Sequence, residues 1–560
     1  VWPGQPAEAA RYAALAASVS HDGDGINGAR FIAACIAAAF DSPRRGTGTG
    51  AASALVEVGL SLVPPDSGYA RVARAVVDFH ARKPADWRAC QEFLLAEWGY
   101  DRWPGLCHMI PNAGVCVLAL LYGDGDFCRT VEIATMCGWD TDCNAGNVGT
   151  IAAVLGGLDA IPAHYRDPIN DGIVLSGLPG SLNILDIPTF SRTLASIGYR
   201  LAGERVPDSI AAPLARGDGE AALHFDFALP GSTHGLRVSD PVNFGIAHRS
   251  GGDGRGSLEF RFERMPREGS GKLYYKPFYR RADFDDERYS PTFAPTVRPG
   301  QRVAIRFRIE RWEGERIAVT GYVRETFGAR DIITTKPIFP DPDKDCLLEF
   351  EVPPVDGSQI DELGLIVTGF SGAARRDSGR LLVELFEVGG KARYAIDIGK
   401  QVVEFGCVTP FSHDGGRWTI EGGRMQLMTH ENAASYTGGH SVGDQAVEAL
   451  VKPLAGDSHL LALRCAGAMR GYFGGFDGPG RVSILKNDFG FSRLVSADFD
   501  WRPGQDYRLR LEAIGDTIGL LVDGVRLLTT RDATHRAGMI GCGCLGAARA
   551  LYGPFDVEEL

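Results

Sequence analysis

Two aspartates one residue apart are the feature of this sequence that most directly suggests chemistry. Asp140 and Asp142 flank Thr141 and precede a segment, 143–155, whose small residues and aliphatic stripe are typical of a closely packed helix. Carboxylates at such a turn can converge on a hard divalent cation, which takes oxygen ligands. The alternative is helix capping, because exposed N–H groups and the helix dipole stabilise an anion at a helix N-terminus. The spacing alone favours capping.

A glycine-rich segment near the start of the chain is a second candidate. His21 precedes the run 22–28, which contains Gly23 and Gly25 and whose backbone N–H groups could approach a phosphate or a sugar. The alternative is a surface histidine in a turn that begins a helix, which is the commoner arrangement. The run also has the aspartate spacing of a calcium loop, but Ala33 stands at loop position twelve, where a bidentate glutamate is required. A calcium site is therefore excluded.

Further polar residues fall at predicted helix starts. His108 and Asn112 are four residues apart around Pro111, which suits the first turn of a helix. They could face a cleft, and capping by Asn112 is the alternative. Asp126 is predicted to be the N-cap of a helix that runs to Met136.

Three aromatic residues in the C-terminal part, Tyr472, Phe473 and Phe476, are candidates for stacking on a sugar. Their alternative role is in the hydrophobic core, which is favoured because aromatic residues dominate cores.

The composition limits the class of protein. The 560 residues predict about three to four domains. An apolar content of 44% and a charged content of 23% are ordinary for globular proteins and exclude a disordered or fibrous chain. The net charge of −12 argues against a nucleic-acid partner. The longest apolar stretches, 31–40 and 113–122, are shorter than the roughly 20 residues of a membrane-spanning helix, so no membrane association is expected.

Cysteine usage favours a reducing compartment such as the cytoplasm. Seven of the 12 cysteines precede residue 144, several of them inside apolar helical patterns, and no paired set has zinc spacing. Structural free thiols are therefore expected rather than disulfides or metal ligands. The start of the chain has neither Met nor a secretory pattern, so it does not predict a localisation.

The periodicity of apolar residues divides the chain into a helical part and a β part. Apolar residues three and four apart predict helices over 7–19, 28–40, 51–62, 70–82, 86–97 and 112–121. Beyond a polar, turn-rich segment the period changes to two, for example over 302–310, and Asp523-Gly524 predicts a tight hairpin. We predict a multidomain chain with an all-α domain over 1–202, a linker over 203–221 and antiparallel β-sandwiches over 222–392 and 393–560.

Family resemblances sharpen these predictions. Two segments of this chain resemble the C-terminal half of ADP-ribosylglycohydrolases, an all-helical family. They are residues 112–127 and the later run Gly138-Trp-Asp-Thr-Asp-Cys-Asn-Ala-Gly-Asn-Val-Gly149. The segment 18–34 resembles the family helix that carries a Thr-His pair and lines the ligand cleft. The resemblance covers roughly residues 1 to 200. The last β domain more weakly resembles concanavalin-type or laminin-G-type jelly rolls.

The resemblance implies a metal site and a ligand cleft. Asp140 and Asp142 would be ligands of a pair of Mg²⁺ or Mn²⁺ ions. The family usually has Thr at the next position, where this chain has Cys143, and a neutral thiol is a poor ligand for magnesium. The residues predicted to bind substrate are His21, Gly23, Gly25, Asn112 and Asn144.

The resemblance also implies that part of the site is missing. The family's other metal ligands, a Thr-Asp-Asp run, and its catalytic Glu have no equivalent in this sequence. We therefore expect the chain to begin partway through the fold, and we assign no catalytic residue.

These observations predict a metal-dependent glycohydrolase. It would cleave an N- or O-glycosidic bond of ADP-ribose or a related ribosyl or furanosyl sugar, with β-sandwich modules that bind a small-molecule or glycan substrate. The alternatives are a glycoside or nucleoside hydrolase acting on another glycan, and a non-catalytic sugar- or nucleotide-binding protein. The oligomeric state is left open.

Overall fold

The chain folds into two compact units, residues 1–169 and 170–560. The computed structural model describes residues 2–41, 50–214, 223–251, 255–263, 265, 269–284, 289–342, 344–370 and 377–560. The end of the predicted linker, 215–221, and the first residue of the predicted sandwich that follows it, 222, lie outside the described residues.

The first unit is helical, as predicted. Its helices are α1 Pro6–Ala17, α2 Gly23–Asp41, α3 Ala51–Ser61, α4 Gly68–Arg82, α5 Trp87–Trp98, α6 Met109–Gly123, α7 Phe127–Met136, α8 Thr141–Gly156 and α9 Ala163–Ile169. Every residue of α6 after Met109 is buried, and α3, α4, α5, α7 and α8 pack around it. A helix that is apolar on all sides must be enclosed by others, so α6 is the central helix of the unit.

The helix starts follow from capping. The side chains of Ser67, Asp86 and Asp126 accept hydrogen bonds from backbone N–H groups in the first turns of α4, α5 and α7 at 3.1, 3.0 and 2.8 Å. Each bond satisfies a donor that the helix itself leaves unpaired. The predicted N-cap role of Asp126 is confirmed.

The second unit begins with short elements that precede its large sheets. The hairpin β1 Gly172–Val174 and β2 Ile184–Asp186 is followed by α10 Ile187–Leu201 and α11 Asp208–Leu214. The hairpin therefore lies in the segment predicted to be all helical, and α11 lies in the predicted linker. Ile173, Val174 and Ile184 favour the extended conformation because they are β-branched.

The first sandwich has two antiparallel sheets within the described residues. One sheet has the strand order β11-β8-β13-β6-β5 with β3 beside β13, and the other has the order β10-β9-β12-β7-β4. Their inner faces share one apolar core, to which Phe260 and Ile305 contribute from one sheet and Val319 and Leu363 from the other. The strands are β3 Leu223–Phe225, β4 Arg237–Val238, β5 Phe244–Ser250, β6 Gly256–Phe262, β7 Ser270–Tyr275, β8 Arg302–Glu313, β9 Ile317–Glu325, β10 Arg330–Ile333, β11 Asp345–Glu351, β12 Ile360–Gly369 and β13 Ser378–Gly389.

The second sandwich repeats this architecture. Its sheets have the orders β18-β19-β30-β21-β26-β27-β28, with β14 beside β30, and β17-β20-β29-β22-β23-β24-β25. A small hairpin, β15-β16, lies between β14 and β17 in the chain. The strands are β14 Arg393–Ile396, β15 Val403–Glu404, β16 Cys407–Val408, β17 Ser412–Asp414, β18 Arg417–Glu421, β19 Arg424–Thr429, β20 Ala433–Thr437, β21 Gln445–Ala455, β22 Ser458–Gly467, β23 Arg470–Asp477, β24 Arg481–Asp488, β25 Phe491–Asp498, β26 Tyr507–Ile514, β27 Thr517–Val522, β28 Val525–Arg531, β29 Met539–Cys544 and β30 Ala548–Glu559. The predicted fold class, helical and then β-sandwich, is confirmed.

The second sandwich contains the predicted Asp523-Gly524 hairpin and the three aromatic residues considered for sugar stacking. Asp523 and Gly524 connect β27 to β28 with φ values of 48° and 81°, as a type I′ hairpin turn requires. Tyr472, Phe473 and Phe476 are 0%, 3% and 0% exposed. They are therefore core residues and are not available to stack on a sugar.

The cysteines are free, and several of them are buried in the cores. In the described part of the chain, none of the helices has both the length and the apolar character needed to cross a bilayer.

Candidate functional site

The start of α8 presents the predicted metal ligands. Asp140 is the residue before the helix and has left-handed backbone angles, φ 42° and ψ 54°, which aspartate tolerates better than most residues. Its backbone oxygen accepts the N–H of Asn144 at 2.9 Å, but its side chain caps no N–H group of the helix. The capping role is therefore not performed by the Asp140 carboxylate.

The Asp140 carboxylate forms a hydrogen bond with the side chain of Asn112 rather than with an N–H group of α8. The Asn112 amide donates to Asp140 Oδ2 at 2.8 Å and to the backbone oxygen of Cys107 at 3.2 Å. The hydroxyl of Tyr100 donates to the amide oxygen of Asn112, and the Tyr100 ring packs against Trp139 with centroids 4.9 Å apart. Asn112 is only 7% exposed, so this network fixes the orientation of a carboxylate at the edge of the helical core.

Asp140, Asp142 and Cys143 form a compact set of possible ligands. One ligand atom from each lies within 4.8 Å of the others. Among the residues that the structure describes, no other set of three His, Cys, Asp or Glu side chains meets this criterion. Asp142 and Cys143 are exposed, whereas Asp140 is partly buried. The cluster is therefore open to an ion and to its bound waters.

The thiol in this cluster is held in its neutral form. A hydrogen bond with Asp140 raises the pKa of Cys143, and slight desolvation and the nearby carboxylate charges act in the same direction. Burial raises the pKa of Tyr100 to about 12, with Cys107 and Asp140 adding to the effect. Tyr100 thus keeps the proton that it donates to Asn112, and Cys143 remains a weak ligand.

The ligand atoms of this cluster, two carboxylates and a thiol, are suited to one hard divalent cation. Mg²⁺ commonly binds one or two carboxylates and keeps several waters, which matches two aspartates at an exposed helix start. A neutral thiol adds little to such a site. Asp140 and Asp142 are therefore the residues of this cluster that could hold Mg²⁺ or Mn²⁺.

The other predicted residues lie at the start of α2 or in the core of the helical unit. His21 is exposed and makes a local hydrogen bond between Nδ1 and the Ser20 hydroxyl at 2.8 Å. Gly25 lies against His21, since a Cβ at Gly25 would be 3.1 Å from its ring, and Gly23 begins α2 with φ +46°. Their roles in ligand binding stay predictions.

Asn144 has its amide groups occupied within the unit. It is 2% exposed, its Nδ2 donates to the Trp139 backbone oxygen at 2.7 Å, and its Oδ1 accepts from Cys116 Sγ at 3.4 Å. These bonds brace the turn that leads into α8, and a contact of Asn144 with substrate stays a prediction.

Sequence reasoning missed Tyr100. It lies in a short 3-10 turn, Tyr100–Arg102, outside any motif, and reaches Asn112 only through the packing of that turn. Because the contact depends on tertiary structure, no periodic or spacing signal identifies it.

Removing the Asn112 side chain tests its role in orienting Asp140. We expect Asn112→Ala to weaken Mg²⁺ binding by about 10- to 100-fold, as is usual for residues that orient a metal ligand. Isothermal titration calorimetry measures the affinity. Asn147→Ala, farther along α8, is the control and should bind normally; equal affinities in both variants would contradict the role of Asn112.

Comparison with known proteins agrees with the helical motifs. Residues 1–189 match the family model described as ADP-ribosylglycohydrolase. The resemblance predicted from the motifs is therefore confirmed for this region. No curated protein matches the chain.

The solved structures similar to this chain include carbohydrate-binding modules. The module CBM66 from Bacillus subtilis has 18% identity and a TM-score of 0.25, with 26% of this chain and 94% of that chain covered. The CBM22-1-CBM22-2 tandem domain of Paenibacillus barcinonensis Xyn10C has 8% identity and a TM-score of 0.21, with 62% and 99% covered. A galectin-like protein of unknown function from Bacillus subtilis has 14% identity and a TM-score of 0.23, with 27% and 89% covered.

Proposed function

We propose that this chain is a divalent-metal-dependent glycohydrolase that cleaves an N- or O-glycosidic bond of ADP-ribose or a related furanosyl sugar. One observation carries the proposal. Asp140 and Asp142 converge, together with Cys143, at an exposed helix start inside the region that matches a glycohydrolase family. The network from Tyr100 through Asn112 orients one of the two carboxylates.

Each residue of the cluster has a distinct role in this proposal. Asp140 is fixed by Asn112, so it can bind an ion without losing much side-chain freedom. Asp142, exposed in the first turn of α8, adds the second carboxylate. When bound, Mg²⁺ or Mn²⁺ supplies Lewis acidity and lowers the pKa of a coordinated water.

The second unit, residues 170–560, which we call the β unit, offers a polar cleft for a larger substrate. A cleft of about 610 Å³ lies between the sandwiches and is lined by charged side chains that include Asp356, Arg393, Glu448, Arg510 and Asp556. Carboxylates accept and guanidinium groups donate hydrogen bonds, so such a lining suits a ligand rich in hydroxyl groups. In this proposal the cleft binds the glycan part of the substrate, and a glycan array with the full chain tests that role.

A hydrolysis assay tests the enzyme proposal. The full chain is incubated with N-linked and O-linked ADP-ribosylated substrates and with furanosides, in Mg²⁺ or in EDTA, and the released sugar is quantified. We expect release that requires the metal and is lost in Asp140→Asn. Release that is unaffected by EDTA would contradict metal dependence, and metal-dependent binding of ADP-ribose without any release would indicate a binding protein.

Replacing Cys143 tests why this cluster departs from the family pattern. Cys143→Ser puts an oxygen donor in place of a neutral thiol, and we expect it to bind Mg²⁺ several-fold more tightly because Mg²⁺ prefers oxygen ligands. Calorimetric titration measures the change. Cys143→Ala is the matched control and should bind like the unmodified protein; equal affinities for the Ser and Ala variants would show that this side chain does not reach the ion.

A further inference from the structure

A small cavity in the β unit is lined by both polar and apolar residues. It has a volume of about 180 Å³ and lies between the start of α10 and the sandwiches. The apolar residues of its lining include Ile184, Leu185 and Phe225. Arg298 and His440 are among the polar residues that line it. The volume is below the range of drug-sized pockets, so the cavity suits a small molecule.

Arg298 is buried at the wall of this cavity with a donor unused. Its side chain is 3% exposed and its guanidinium carbon lies 5.8 Å from the centroid of the Tyr394 ring, which leaves Nη2 without a hydrogen-bond partner among the described residues. A Cβ built on Gly439, which also lines the cavity, would lie 3.3 Å from Nη1 and 3.7 Å from Nη2. The absence of a side chain at Gly439 thus leaves the guanidinium group beside the cavity. Buried polar groups are normally paired, so the unused donor calls for an acceptor.

The nearest carboxylate does not provide that acceptor. Glu559 Oε1 is 3.9 Å from Arg298 Nη1, which is too long for a hydrogen bond, and Glu559 Oε2 accepts the backbone N–H of Ala392 at 3.0 Å. Burial raises the pKa of Glu559, which weakens its charge as a counter-ion. Asp186, another lining residue, is bonded to His234 at 2.8 Å and to the N–H of Thr189 at 2.9 Å.

We propose that this cavity binds a small organic oxyanion, a carboxylate or a phosphate ester, through Arg298. The planar fork of a guanidinium group matches the geometry of both anions. His440 and Ser441 also line the cavity and can add donors, while the apolar lining residues can contact the carbon part of the ligand. The site belongs to the β unit, whereas the cluster at Asp140 belongs to the helical unit.

Calorimetry on the full chain tests the proposal. The ligands are D-ribose 5-phosphate, D-ribonate and neutral D-ribose, titrated at constant ionic strength. We expect one or both anions to bind at least about tenfold more tightly than D-ribose, since a charged hydrogen bond contributes at least this factor. Binding of the phosphate alone or of the carboxylate alone would identify which anion the site selects.

Two variants connect the binding to this cavity. Arg298→Gln should weaken anion binding by at least about tenfold, whereas Arg205→Gln, an exposed arginine in the same unit, should not. Ser441 is exposed at the rim of the cavity, so Ser441→Trp should block the cavity and weaken binding without lowering Tm. This variant therefore tests the site even if Arg298→Gln does not fold. Anion binding that is no tighter than D-ribose binding, or that is unchanged in Arg298→Gln and Ser441→Trp, would overturn the proposal.

Discussion

Replacing Asp140 or Asp142 by asparagine is expected to reduce the affinity for Mg²⁺ by about 100-fold or more. Loss of a residue that only orients a metal ligand costs about 10- to 100-fold, and loss of a charged ligand should cost at least as much. The effect should be large for either residue because the cluster has only these two carboxylates within reach of one ion in the described part of the chain. Isothermal titration with MgCl₂ measures it, and hydrolysis should fall in parallel.

A matched variant separates metal binding from general charge effects. Asp78→Asn removes one negative charge from an exposed position on α4 and should leave Mg²⁺ binding unchanged. Unfolding temperatures of the three variants show whether the fold is intact. If Asp140→Asn and Asp142→Asn both bind Mg²⁺ like Asp78→Asn, the assignment of these carboxylates as ligands is wrong.

Phe476→Ala should destabilise the second sandwich by about 3–5 kcal/mol, the usual cost of removing a buried phenylalanine ring. Phe476 is 0% exposed and packs against Trp501 and Tyr507, with ring centroids 5.1 and 5.0 Å away. Its loss would leave a cavity that these rings can only partly fill. Calorimetric unfolding of the full chain measures the shift of this domain's transition.

An exposed phenylalanine gives the comparison. Phe489 is 74% exposed, so Phe489→Ala should change stability by less than about 0.5 kcal/mol. On a glycan array, Phe476→Ala should retain the pattern of the unmodified protein at temperatures where it is folded. A selective loss of glycan binding with unchanged stability would mean that Phe476 contacts sugar, contrary to its burial.

Local sequence signals predicted much of the fold because the responsible contacts are themselves local. The predicted cap Asp126 bonds to a residue three positions away, and the Asp523-Gly524 turn joins adjacent strands. The start of α2 was predicted too late, at residue 28 instead of Gly23. Glycine weakens a helix locally, but Asp24 accepts the N–H of Tyr69 at 3.2 Å and so connects this first turn to α4.

The candidate site was predictable only in part. The type and spacing of Asp140 and Asp142, together with the family resemblance, identified the carboxylates. The contact from Asn112 to Asp140 spans 28 residues, and the participation of Tyr100 depends on how a short turn packs. For the aromatic residues of β23, the sequence favoured a core role over sugar stacking, and the packing of the sheets, which no local signal specifies, buries all three side chains.

The proposed function depends on a divalent cation bound by Asp140 and Asp142 at the start of α8. Anomalous X-ray diffraction from crystals of the full chain soaked in MnCl₂ tests it most directly. We expect an anomalous peak within coordination distance of a carboxylate oxygen from each aspartate, and we expect this peak to be absent from crystals of Asp140→Asn. Manganese bound elsewhere, with both carboxylates uncoordinated, would contradict it.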